Sequence, residues 1–165
     1  DGDVEEVVGK TKEDSIFDLT AALSGKNQLA ALKALKALLD QGLHHLMILT
    51  MIVREIRFLL QAKILINSGK LPKFTGSMEY GWFQKHILPS LNELAAAKDL
   101  PKDFLTSKHP FVVFNALRNC GRFTYPLLVD YLDDLLEIDR GLKSSAGNPQ
   151  MLLENFLIKA CTKAS

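Results

Sequence analysis

Residues 43–66 are mostly apolar, yet Arg54, Glu55 and Arg57 fall near the middle of the stretch. Charges at that depth are costly in a bilayer, so the run reads as a buried helix of a water-exposed fold. Thr50, Arg54, Arg57 and Gln61 recur at i, i+4, i+7 and i+11, which places them on one narrow polar stripe. Leu46, Ile48, Leu49, Ile52, Val53, Ile56, Leu59, Leu60 and Ile64 cover most of the remaining surface. A helix that apolar is contacted on several sides, so the spacing predicts the central helix of a bundle, from about His44 to Ser68.

The rest of the chain supplies the neighbours. Ser15 with Asp18 fits a capping box for a short helix ending at Ser24, with Gly25 as its stop. Asn27 is expected to cap a helix running to Gln41, with Leu29, Leu32, Leu35, Leu38 and Leu39 on its apolar face. His109-Pro110 and Asn148-Pro149 each combine a cap with a proline in the first helical turn. Thr124 precedes a helix whose stripe is Leu128, Tyr131, Leu135, Ile138 and Leu142. The last helix carries Leu152, Leu153, Phe156 and Leu157. Residues 70–108 are punctuated by Pro72, Gly76, Gly81, Pro89 and Pro101. One helix is expected there, from about Trp82 to Ala97, bent or restarted near Pro89. Tyr80, Trp82 and Phe83 are expected to form a small satellite core. No segment alternates with period two. The expectation is an all-α bundle of about seven helices in one domain of 165 residues.

Charge narrows the function classes. The net charge is +1, so there is no global pull toward nucleic acid or acidic membranes. Locally the balance is uneven. Residues 1–18 hold seven acids and two bases, residues 19–125 six acids and fourteen bases, and residues 126–139 five acids and no base. The basic surplus keeps a helical DNA-binding module open as an alternative. Cys120 and Cys161 show neither metal spacing nor a disulfide framework, and the acidic start does not resemble a signal peptide. A cytoplasmic protein is expected. The absence of an initiator methionine suggests a piece of a longer protein.

Candidate chemistry fails on spacing. Gly9-Lys10-Thr11 resembles the end of a P-loop, but Val4 stands where the first glycine is needed. Asp130, Asp133, Asp134, Glu137 and Asp139 share one helix, but a dimetal bundle site also needs Glu-x-x-His pairs, and none occurs. His44 and His45 are adjacent, so on a helix they diverge by about 100°. No catalytic residue, metal ligand or cofactor site is therefore assigned. Arg54 and Arg57 are expected to pair within the bundle, with the 126–139 helix, or to bridge to another subunit.

Several segments together resemble a known family. They are Val4-Glu5-Glu6-Val7-Val8-Gly9, Ser15-Ile16-Phe17-Asp18-Leu19, Arg54-Glu55-Ile56-Arg57, His109-Pro110-Phe111-Val112-Val113, Arg122-Phe123 and Leu135-Leu136-Glu137-Ile138-Asp139. Pro149 with Leu152-Leu153-Glu154 continues the series. In order and spacing they are similar to the C-terminal collar domain of the delta subunit of the bacterial DNA polymerase III clamp loader. The likeness covers residues 3–70 and 108–160, and 71–107 depart from it as an aromatic insertion. It implies that residues 1–10 are the remnant of a lid-domain helix and linker, and that 11–165 form a helical collar domain. It further implies a non-catalytic assembly role beside gamma/tau-type and delta-prime-type subunits, in a holoenzyme whose chemistry is DNA-directed DNA polymerisation. DNA and the sliding clamp would be reached only through the full subunit. Arg54, Arg57, Arg118, Arg122, Asp130, Asp134 and Glu137 are the candidate partner-interface residues.

Overall fold

The computed structural model of the chain describes residues 11–98, 100–145 and 147–162. The Gly9-Lys10 part of the P-loop-like tripeptide and the lid-remnant stretch 1–10 lie outside the described residues. Among the described residues there are eight α-helices: α1 (Lys12–Ser24), α2 (Gln28–Asp40), α3 (His45–Asn67), α4 (Tyr80–His86), α5 (Leu88–Lys98), α6 (Pro110–Asn119), α7 (Tyr125–Lys143) and α8 (Pro149–Cys161). Two 3-10 turns, Leu105–Ser107 and Cys120–Arg122, flank α6. The described residues contain no strand, so the fold is all-α.

Local chemistry sets most helix ends. Asn27 and Asn148 accept the N–H groups of Ala30 and Met151, and Thr124 accepts that of Leu127. Pro110 and Pro149 occupy first turns. After α2 and α3 the chain passes through Gly42 at φ +83° and Gly69 at φ +69°, a region only glycine enters without strain. The start of α1 differs from expectation. Its N-cap is Thr11, which exchanges hydrogen bonds with Asp14 in a capping box. Ser15 lies inside the helix, buried, and its Oγ accepts from Gln41 Nε2 at 2.9 Å.

The chain divides into two compact units: Asp1–Ile52 with Leu135–Ser165, and Val53–Asp134. Their boundaries fall inside α3 and α7. In the first unit, α1 packs on α2, and α8 packs on both. Leu19, Leu23, Ala31, Leu38, Leu153 and Leu157 are fully buried there. The buried face of α2 is Ala31, Ala34, Leu35 and Leu38, not the five leucines expected. Leu29 is 66% exposed. Ala31 and Ala34 share the inward face with Leu35 and Leu38, and their small side chains permit the close packing of α1 on α2.

In the second unit, α4 packs on α5 and α6, and the Leu105–Ser107 turn packs on α5 and α6. The helix expected from about Trp82 to Ala97, bent or restarted near Pro89, is restarted: α4 and α5 are separated at Ile87, with Pro89 in the first turn of α5, where a missing N–H costs nothing. The buried set here includes Leu59, Phe83, Ile87, Leu105, Leu117 and Leu128. No helix among the described residues is long and apolar enough to cross a membrane.

Candidate interaction site

Two members of the polar stripe of α3, Arg57 and Gln61, hold a neighbouring segment within the Val53–Asp134 unit. Gln61 Oε1 accepts the backbone N–H of Leu105 at 2.8 Å, and the Leu105 side chain is fully buried. Arg57 Nη2 lies 3.5 Å from Asp103 Oδ2, with both side chains more than half exposed. The stripe therefore anchors the segment before α6. Arg57 thus makes an ion pair within the chain, as one of its two expected roles has it, but with Asp103 and not with the acidic helix; the sequence places Asp103 in an irregular, proline-marked stretch. Arg54 is exposed, with its guanidinium 6.0 Å from the Phe58 ring centre. Beside it the half-buried Glu55 carboxyl is pushed up to about 7 by burial, against the opposing pull of Arg54.

The acidic helix α7 is partly self-neutralised. Glu137 bonds Arg140 at 2.7 Å and Asp139 bonds Lys143 at 2.9 Å. Such bases also suit the negative C-terminal end of a helix. Asp130 is exposed, Asp134 is half-buried, and Leu136 is 49% exposed on the same helix. Asp130, Asp134 and Glu137 share a face at i, i+4 and i+7.

Arg118 and Arg122 lie at the far end of α6 and bound a groove of about 530 Å³ that also takes in Lys63 and Phe74. Arg118 Nε donates to the Gly76 carbonyl at 3.2 Å, Arg122 Nε to Asn119 Oδ1 at 3.3 Å, and Lys63 Nζ to the Cys120 carbonyl at 3.2 Å. Nothing in the sequence points to Lys63 at this groove, since its bond to the Cys120 carbonyl spans 57 residues.

The remaining chemistry-bearing groups have structural roles. His44 Nδ1 and His109 Nδ1 accept the N–H groups of Leu46 and Phe111 at helix starts. His45 is held below its usual value by burial and by His44, whose ring centre is 4.1 Å away. His86 lies against Trp82, 4.5 Å between ring centres. Burial raises the Cys120 thiol, against the pull of Lys63, and pushes Cys161 up to about 11. Both stay protonated at neutral pH and are poor nucleophiles. Among the described residues no group of three His, Cys, Asp or Glu is placed to hold a metal ion. Tyr80 and Phe83 join Phe111 and Phe114 in one aromatic cluster, with Tyr80 5.3 Å from each of those two rings. Trp82 is 40% exposed and stands outside that cluster.

Comparison with known proteins follows this geometry. The Bacillus subtilis DNA clamp loader delta protein, YqeN, has a similar fold: TM-score 0.65 at 22% identity, covering 97% of this chain. The chain spans 39% of the length of that protein. No curated protein sequence matches the chain. The family model for the DNA polymerase III delta subunit, C-terminal domain, matches residues 13–75 and 98–160. It passes over 76–97, the stretch that carries α4 and most of α5. With its two matched flanks taking up most of the sequence, the chain belongs to the family formed by the C-terminal domains of DNA polymerase III delta subunits.

Proposed function

We propose that this domain is a non-catalytic assembly domain of a clamp-loader delta subunit, which packs into the helical collar of the pentamer that loads the sliding clamp in DNA replication. The family match across both flanks carries this reading. The neighbours are subunits of the gamma/tau and delta-prime types, in the cytoplasm. DNA and the clamp are engaged through the rest of the full subunit, and polymerase chemistry belongs to the holoenzyme. Residues 11–165 act as the collar unit, 1–10 as a lid remnant, and about 71–107 as an addition.

Burial of helix faces between neighbours supplies the association, with polar rims setting register. The exposed parts of α6 and α7 are the proposed contact surfaces. On α7, Asp130, Asp134 and Glu137 share one face and the exposed Leu136 lies round the helix from them, so the helix offers both charged and apolar surface to a partner. Arg54 adds an exposed cation. Arg57 already has Asp103 as a partner, and Arg118 and Arg122 face the groove described above, so the weight of the reading falls on α7. Replacing Asp134 and Glu137 together by lysine is expected to weaken capture by the other clamp-loader subunits while leaving the helical circular dichroism intact. Unchanged capture would remove α7 from the interface.

A further inference from the structure

Lys63, Arg118 and Arg122 line the groove at the end of α6, and no carboxylate does. Their hydrogen bonds go to neutral oxygens: the Cys120 carbonyl, the Gly76 carbonyl and Asn119 Oδ1. Among the described residues none of the three is ion-paired, whereas Arg57, Arg140 and Lys143 each have a carboxylate within 3.5 Å. Both arginines bond through Nε, so each guanidinium keeps its two Nη groups for a further acceptor. Arg118 is also steadied by the Phe114 ring, whose centre is 5.8 Å from its guanidinium carbon. A held guanidinium with free Nη groups matches the two oxygens of a carboxylate.

The walls narrow the kind of acid that fits. Ile66 is 36% exposed and Phe74 half-buried, and both line the groove with the cations. A purely charged ligand would leave that apolar surface in water. A nucleic-acid strand is matched less well. Strand-binding grooves offer rings on which successive bases stack, and this one is lined by a single ring, Phe74. The chain as a whole carries +1, so no wide positive field draws a long polyanion. Three cations around a space of about 530 Å³ suit a short segment that carries carboxylates on either side of an aliphatic side chain. Gly121 stands on the rim with open space where a side chain would begin, so a peptide backbone can approach closely there.

We propose that this groove docks an acidic peptide segment of a partner protein, with its carboxylates on Arg118, Arg122 and Lys63 and an aliphatic side chain against Phe74 and Ile66. The site stands apart from the assembly reading, because it is tested on the chain alone with no clamp-loader subunit present.

The test is fluorescence anisotropy of a fluorescein-labelled peptide of four Asp-Asp-Leu repeats, titrated with the chain at low salt. Binding is expected to weaken as salt rises, because the exposed arginines are screened. A peptide of four Asp-Asp-Ser repeats keeps the charge and loses the aliphatic groups, and it is expected to bind roughly tenfold more weakly. R122E, which gives up only a hydrogen bond to the half-buried Asn119 one turn away, is expected to weaken binding of the leucine peptide roughly tenfold, and R118E/R122E further, with circular dichroism unchanged. K36E, on α2, is the control and is expected to bind as the unmodified chain does. No binding at low salt would overturn the proposal, as would full binding by R118E/R122E or an equal loss in K36E. Equal binding of the serine peptide would overturn it by showing that the apolar walls play no part. Oligo(dT) that displaces the labelled peptide at lower concentration than the unlabelled peptide does would overturn it in favour of a nucleic acid.

Discussion

In the unit formed by Asp1–Ile52 with Leu135–Ser165, helix meets helix through alanine and leucine: Ala31, Ala34 and Leu35 of α2 and Leu153 and Leu157 of α8 are buried together with Leu19 and Leu23 of α1. In the Val53–Asp134 unit, rings and single side-chain-to-backbone bonds bind irregular segments to helices. Tyr80 and Phe83 meet Phe111 and Phe114, Gln61 holds Leu105, Lys63 holds Cys120, and Arg118 holds Gly76. Regular helices joined by short turns need only a matched stripe to find one another. Longer connections must have their backbone groups satisfied individually, because an unpaired buried N–H or carbonyl is expensive. The family match extends through both kinds of packing and skips 76–97, so the aromatic pairing of Tyr80 and Phe83 with α6 joins a stretch outside the match to one inside it.

If that pairing is structural, Phe83→Ala has the largest effect. Phe83 is fully buried, and its loss is expected to cost about 3–5 kcal/mol in urea unfolding. A cost below about 1 kcal/mol would mean that α4 merely rests on the Val53–Asp134 unit.

Glu55 gives the next effect, and its sign depends on pH. Burial raises its folded value to about 7 from an ordinary 4.5, so the folded state binds the proton more tightly than the unfolded chain. Stability from this group is therefore complete below about pH 4.5 and lost as pH rises through about 7. Glu55→Gln is expected to stabilise the chain at pH 8 by on the order of 2 kcal/mol, with the gain vanishing near pH 4. An identical difference at both pH values would show that the carboxyl is solvated.

Gln61→Ala removes the acceptor for the Leu105 N–H and is expected to cost about 1–2 kcal/mol, with faster proteolysis at residues 100–107. Protease resistance equal to the parent would show that the α3 stripe does not hold that segment. At the small end, Leu29→Ala is expected to stay within about 0.5 kcal/mol of the parent, because the side chain is 66% exposed. A loss of about 2 kcal/mol or more would restore the five-leucine face.

These residues also mark where sequence reading runs out. The caps at Asn27, Thr124 and Asn148 were legible because donor and acceptor lie three residues apart. Thr11 with Asp14 and Ser15 with Asp18 satisfy the same capping pattern. Thr11 and Asp14 make the box, and the Ser15 hydroxyl instead accepts from Gln41, 26 residues away, a partner that local spacing does not reveal. The leucine stripe misled because periodicity marks a face but not the distance between helices, and close approach selects alanine. The α3 stripe was recognised as polar, but its partners, Asp103 and the Leu105 N–H, lie more than forty residues away. The cation groove was invisible for the same reason, being assembled from α3, the Phe74–Ser77 stretch and the end of α6.

The central claim is assembly. Mixing the folded chain with the remaining clamp-loader subunits and measuring complex mass by light scattering tests it most directly. The account predicts a discrete complex heavier by one copy of this chain, 18.4 kDa. A folded chain that elutes alone at every concentration would contradict it.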